Sequence, residues 1–148
     1  MTVILGIHNI LRWVLLILAA FTLYRMVRGL IKKTSWNSLD SSSGLFFTIV
    51  LDLQLLLGII LYFILSPLVK TFFANLGDAM GESALRYWGI EHILMMFLAV
   101  VFGHLGSILA KKQVLDQKKY QSGAIFFLIS VLFLFAGIPW FRPLLPVF

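Results

Sequence analysis

Six ionisable side chains interrupt long apolar stretches of this 148-residue sequence: His8, Arg12, Asp52, Glu91, His92 and His104. Ionisable groups are costly inside a bilayer and usually mark functional sites there. Imidazoles can ligate haem iron, and an aspartate beside a histidine can relay protons. No P-loop, dinucleotide fingerprint, zinc-protease motif or nucleophile–base set for hydrolysis is present. If the protein is an enzyme, we therefore expect redox chemistry and not hydrolysis.

His8 and His92 have the positions that axial ligation of a b-type haem requires. Each lies four or five residues inside an apolar stretch that runs in the same direction across the membrane. At 1.5 Å per residue, both lie roughly 6–8 Å below the outer boundary. One imidazole on each side of the iron would hold the haem plane between the helices. The pattern predicts His8 and His92 as metal ligands, although structural hydrogen bonds near the interface would also explain them.

Small side chains follow each histidine at helical spacing. Seven, eleven and fourteen positions later the residues are Ala99, Gly103 and Gly106 after His92, and Leu15, Ala19 and Thr22 after His8. This leaves room for a flat macrocycle below the histidines. Small residues at this spacing also allow transmembrane helices to pack closely with nothing between them. Both interpretations remain open from the sequence.

Two arginines have suitable positions to pair with the haem propionates. Arg12 lies one turn below His8, and Arg86 lies nearer the surface. Arginine forms strong, often bidentate hydrogen bonds with carboxylates. We predict both as cofactor-binding residues, with pairing of His8 and Arg12 to Glu91 and loop carbonyls as the structural alternative.

Asp52 and His104 form an intramembrane polar pair at matching depth. They lie about eight and six residues from the inner ends of their spans, so their depths agree within roughly 3 Å. A hydrogen bond between them would compensate for burying two polar groups. This structural role is the preferred interpretation, and a proton relay or a proton acceptor for a quinol is the functional alternative. Because there is no fourth histidine, a second bis-histidine haem within one chain is excluded.

Gln54 and Tyr62 lie on one stripe of the second apolar stretch, with Gly58 between them. Interhelical hydrogen bonds and an interfacial tyrosine are the preferred interpretation of this stripe. A contact with a quinone headgroup is the functional alternative.

The elements that position these residues are transmembrane helices. The chain is 61% hydrophobic and 12% charged, with a mean hydropathy of +1.00, whereas soluble domains are about 25% charged. Four apolar stretches are long enough to cross a bilayer: Val3–Tyr24, Gly44–Leu65, Trp88–Ala110 and Gly123–Phe141. Continuous apolar runs of this length indicate helices. We predict one all-α transmembrane domain over residues 1–148, an up-down-up-down four-helix bundle in a lipid bilayer.

The distribution of lysine and arginine predicts the orientation. Eight basic residues lie in the first and third connections: Arg25, Arg28, Lys32, Lys33, Lys111, Lys112, Lys118 and Lys119. The positive-inside rule then places these connections in the cytoplasm and both termini outside. This distribution explains most of the formal charge of +6, so nucleic acid is not an expected partner. We expect the first stretch to be a retained span and not a cleaved signal peptide.

The sequence resembles a family of small four-helix bacterial inner-membrane proteins described as cytochrome b-like. The elements that carry the resemblance are His8–Arg12–Trp13, Gln54–Gly58–Tyr62, Glu91–His92–Met95, His104–Gly106 and Ile138–Pro139–Trp140. They cover almost the whole chain, with at least one element in each helix. The resemblance implies a haem-binding electron carrier of the bacterial cytoplasmic membrane, with His8 and His92 as the ligands.

These observations predict a mono-haem b-type membrane cytochrome. It would transfer electrons at the outer side of the membrane, between a quinone pool and a periplasmic or membrane-subunit partner. The alternative is a cofactor-free accessory subunit of a larger membrane complex. A proton path or small transporter through Asp52 and His104 is less well supported, because no inverted repeat with broken helices is evident.

Overall fold

The computed structural model of the protein describes residues 3–142, which form helices and connecting turns with no strand in that range. Within residues 3–142, four helical segments are long and apolar enough to cross a membrane. The α-helices are α1 (Val3–Lys32), α2 (Ser38–Ile60), α3 (Pro67–Ala74), α4 (Leu76–Ala79), α5 (Ser83–Arg86), α6 (His92–Lys112) and α7 (Asp116–Gly137). One π turn, Leu61–Leu65, extends α2, and another, Tyr87–Glu91, precedes α6.

The first two long helices extend beyond the predicted apolar stretches. α1 continues to Lys32, and α2 begins at Ser38, six residues before Gly44. A capping box sets this beginning: the Asn37 side chain accepts from the Asp40 backbone N–H, and the Asp40 carboxylate accepts from the Asn37 N–H. Such reciprocal bonds satisfy backbone donors at a helix N-terminus. Helix length is therefore set by capping as well as by hydropathy.

The four long helices enclose one core. α1 packs against α2 and α7, and α6 packs against the same two helices. The buried apolar side chains come from all four: Leu15, Ala19, Met26, Phe47, Leu51, Ala99, Tyr120, Phe127, Val131 and Leu134. The bundle can be divided into a basic end, which contains the connections at Lys33–Asn37 and Gln113–Leu115, and a cavity end, which contains His8, the two π turns and α3–α5.

At the basic end, a buried ion pair joins α1 to α2. Arg25 Nε donates to Asp40 Oδ1 at 2.8 Å, and the Tyr120 hydroxyl of α7 donates to Asp40 Oδ2 at 2.6 Å. The side chains of Arg25 and Asp40 are 11% and 1% exposed. No sequence motif indicates this network. It holds three helices together where the basic connections leave the bundle.

The segment between α2 and α6 contains the short helices α3, α4 and α5. Phe72 of α3 is buried directly against Gly89 of the second π turn, where any Cβ would collide with its ring. Ser66 caps α3 by accepting from the backbone N–H of Val69. The segment therefore covers the cavity end of the bundle.

Candidate functional site

The cavity end encloses a space of about 390 Å³ between α1, α2, α6 and the end of α7. Ligand sites commonly have volumes of about 300–1,000 Å³ with a few polar groups in an apolar lining. The polar and aromatic side chains that line it are His8, Asn9, Arg12, Gln54, Tyr62, Ser66, Trp88, His92 and Arg142. Leu15, Leu51, Met96, Val100 and Leu134 also line it. The structure thus brings His8 and His92 to one cavity.

His92 is held in a defined orientation by the end of α7. Its Nδ1 lies 2.7 Å from the carbonyl oxygen of Gly137, which also accepts a 2.7 Å bond from the Tyr87 hydroxyl. A carbonyl can only accept, so Nδ1 carries the proton and Nε2 retains its lone pair. A backbone carbonyl on Nδ1 is the usual support of a metal-ligating histidine. His92 therefore presents an imidazole suited to ligation.

The carbonyl of Gly137 is available because α7 ends there. The last carbonyls of a helix have no partner within the helix, and Pro139 cannot provide an N–H to continue it. Ile138 donates to Leu134 O, and its own carbonyl accepts from Trp140. The Ile138–Pro139–Trp140 element was a sequence signal for this acceptor, although sequence analysis did not connect it to His92.

His8 contributes a second imidazole with a free ring nitrogen. Its Nδ1 is buried and has no hydrogen-bond partner among residues 3–142. Its ring contacts the α2 backbone at Gly58, where a Cβ would lie 3.5 Å from His8 Cε1. A buried polar atom without a partner costs free energy and calls for an explanation such as a bound group. His8 therefore fits a site that holds a polar or metal-containing ligand.

Gln54 and Tyr62 line the cavity but also make structural bonds. Gln54 Nε2 donates to the carbonyl of His8 at 3.0 Å, whereas its Oε1 is buried with no partner among the described residues. The Tyr62 hydroxyl donates to Gly89 O at 2.5 Å and so links the two π turns. π turns occur often at functional sites. Both side chains therefore make the interhelical hydrogen bonds of the structural interpretation. Gln54 Oε1 remains available to accept a hydrogen bond from a ligand.

One of the two predicted arginines lines the cavity and the other does not. Arg12 lines the cavity and is 7% exposed. Arg86 instead pairs with Glu91 at 2.7 Å and donates to Met80 O at 2.9 Å, and it is not among the cavity-lining residues. Arg142 does line the cavity, with its guanidinium 4.7 Å from the Trp88 ring centroid. Arg142 lies beyond the end of α7, so helical spacing could not predict that it lines the cavity.

The expected space for a macrocycle below the histidines is filled by side chains. A Cβ on Gly103 would lie 3.0 Å from Leu51, and one on Gly106 would lie 2.9 Å from Phe127. On α1, Ala19 and Thr22 are at most 2% exposed and do not line the cavity, whereas Leu15 does. This part of the prediction is wrong: beyond the cavity the small residues serve close helix packing, which was the alternative interpretation.

Asp52 and His104 contact each other, as their matching depths predict. His104 Nε2 lies 2.9 Å from Asp52 Oδ1. Neither residue lines the cavity, and both side chains are 43% exposed on the outside of the bundle. The pair is therefore separate from the candidate ligand site.

No family model matches this chain, and neither a curated protein nor a solved structure is significantly similar to it. The family resemblance therefore stays a prediction. Residues 3–142 contain no group of three or more His, Asp or Glu side chains able to hold a metal ion. A bis-histidine haem requires only two ligand side chains from the protein, and two histidines line the cavity.

Proposed function

We propose that this chain is a mono-haem b-type electron-transfer protein of the bacterial cytoplasmic membrane, with His8 and His92 as the axial ligands. The observation that carries the proposal is the presence of both imidazoles in one cavity of about 390 Å³. The bond from His92 Nδ1 to Gly137 O supports it, because it leaves Nε2 available to bind iron.

The side chains that line the cavity include the types that a haem requires. Two histidines match the axial requirement, and Arg12 and Arg142 line the same cavity, where they would bind propionates. Arg142 takes the role that the sequence suggested for Arg86. The largely apolar lining would lower the local dielectric around a bound group. When bound, haem b supplies a one-electron redox couple whose potential depends on its axial ligands and surroundings.

The proposed topology is up-down-up-down, with both termini periplasmic. Gln54 contacts His8, and the Thr22 hydroxyl donates to Ser43 O at 3.0 Å, so α1 and α2 run in opposite directions. The basic connections would face the cytoplasm under the positive-inside rule. The cavity would then lie near the periplasmic surface, where it could exchange electrons with a quinone, at Gln54 and Tyr62, or with a periplasmic redox partner.

A difference spectrum of the purified protein tests the proposal. We expect a sharp α-band in the reduced-minus-oxidised spectrum of protein purified in mild detergent, with one haem per chain by pyridine haemochrome assay. His8→Ala and His92→Ala should each lose most of the bound haem, and added imidazole should restore part of it.

His104→Ala provides a matched control, because it removes a histidine outside the cavity. It should retain the wild-type spectrum. The proposal fails if wild-type protein from haem-supplied cells has no α-band, or if His104→Ala loses as much haem as His92→Ala.

The second candidate function is a cofactor-free accessory subunit of a larger membrane complex. The observation that favours it is the exposed Asp52–His104 pair, because ionisable groups in membrane helices normally face protein. A stoichiometric partner that co-purifies with a colourless chain would select this function.

A further inference from the structure

The Asp52–His104 pair lies on the outside of the bundle, within the membrane-spanning length of α2 and α6. Asp52 is near the middle of Ser38–Leu65, and His104 is eight residues before the end of Ser83–Lys112. Both side chains are 43% exposed. Lipid chains have no groups that could hydrogen-bond to these exposed polar atoms. Another polypeptide would provide such groups.

The surrounding surface has the same pattern on both helices. Exposed apolar residues lie seven positions before and four positions after each member of the pair. These residues are Leu45 and Leu56 around Asp52, and Phe97 and Ile108 around His104, with exposures of 44%, 58%, 54% and 47%. Steps of four and seven residues return to one side of a helix. We call these four residues and the pair the α2–α6 face.

The hydrogen-bonding capacity of the pair is only half used. His104 Nε2 and Asp52 Oδ1 bond each other, whereas His104 Nδ1 and Asp52 Oδ2 make no hydrogen bond within residues 3–142. One proton shared between these two atoms, carried by either Nδ1 or Oδ2, makes one of them the donor and the other the acceptor. His104 Nδ1 of one copy of the chain is therefore complementary to Asp52 Oδ2 of another copy.

We propose that a second copy of this chain covers the α2–α6 face in a two-fold symmetric dimer. A two-fold axis beside the pair brings each Asp52 Oδ2 to His104 Nδ1 of the other copy, so one contact occurs twice. The result is a ring of two histidines and two aspartates, closed by two hydrogen bonds between the copies and with no net charge. The flanking apolar residues of the two copies pack around this ring.

Single-cysteine cross-linking tests the proposal directly, because the chain has no cysteine of its own. Leu56→Cys and Ile108→Cys place thiols on the α2–α6 face. Ile17→Cys and Leu132→Cys are matched controls, with side chains 68% and 60% exposed on α1 and α7. In native vesicles treated with a short bismaleimide, we expect a dimer band for the first two variants and little for the controls.

Two further variants separate the specific contact from general damage. Asp52→Asn should weaken the dimer about tenfold in a detergent dilution series, since it weakens a polar contact that occurs twice between the membrane helices. The exchange variant, Asp52→His combined with His104→Asp, keeps the complementary atoms and should restore dimerisation. Equal cross-linking at all four cysteine positions, a monomer in lipid nanodiscs, failure of the exchange variant to dimerise, or cross-linking of Leu56→Cys only to a different protein would each overturn the proposal.

Discussion

The two ends of the bundle differ in how completely their polar atoms are satisfied. At the basic end, Asp40 is 1% exposed and accepts from Arg25, Tyr120 and a backbone N–H. At the cavity end, His8 Nδ1 and Gln54 Oε1 are buried without partners among the described residues. Buried polar groups are nearly always satisfied, and exceptions concentrate where ligands bind.

The two ends also differ in packing. At the basic end, the Phe127 ring fills the space beside three glycines, Gly44, Gly106 and Gly123. At the cavity end, the helices enclose about 390 Å³ instead. Close packing contributes dispersion energy that an open space does not provide. We infer that the basic end stabilises the fold, whereas the cavity end has the lower packing density that ligand binding requires.

The largest effect is expected from breaking the ion pair at the basic end. Asp40→Asn removes the carboxylate charge and leaves the Arg25 guanidinium, which is 11% exposed, without its ionic partner. Losing one member of a buried ion pair typically costs about 3–5 kcal/mol. We expect a decrease of this size in the free energy of unfolding, measured by denaturant titration in detergent.

Asp116→Asn is the matched control for that change. Asp116 makes a more exposed ion pair with Lys119, within a single helix and at the same end of the bundle. We expect its unfolding curve to match that of the wild type. If Asp40→Asn were as stable as Asp116→Asn, the buried ion pair would not be what stabilises the basic end.

An intermediate effect is expected from adding one methyl group at each end. Gly106→Ala places a Cβ 2.9 Å from Phe127, so it overpacks the core and should cost about 1–3 kcal/mol. Gly58→Ala places a Cβ 3.5 Å from His8 Cε1, which is an ordinary contact. Alanine favours helix by up to about 1 kcal/mol over glycine, so Gly58→Ala should be neutral or stabilising. Thermal unfolding of both variants checks the comparison, and a larger loss at Gly58 would reverse it.

The sequence was sufficient for the features that depend on periodicity and composition. Four apolar stretches predicted four helices able to span a membrane, and the depths of Asp52 and His104 predicted their contact. Both inferences use only the rise of a helix and the length of a span. Features that repeat along one helix are therefore accessible without coordinates.

Features that depend on how neighbouring helices interlock were missed. The stripe of Ala99, Gly103 and Gly106 allows either a cofactor or close packing, and the positions of Leu51 beside Gly103 and Phe127 beside Gly106 decide between them. The replacement of Arg86 by Arg142 depends on where the chain turns after Pro139. Such outcomes follow from contacts between distant residues, which spacing within one helix does not determine.

The smallest effect on stability is expected at Gln54, although this residue is 6% exposed. Gln54→Leu loses the bond from Nε2 to His8 O, which costs roughly 1 kcal/mol, but it also removes the unpartnered Oε1. The two contributions have opposite signs, so we expect a net change within about 1 kcal/mol in the same denaturant titration. Tyr120→Phe is the matched comparison at the basic end, because it removes one of the two donors to the buried Asp40 Oδ2, which then keeps only the bond from the Asn37 N–H. We expect Tyr120→Phe to destabilise the protein more than Gln54→Leu, and the opposite order would show that the unpartnered amide oxygen does not reflect a site that awaits a ligand.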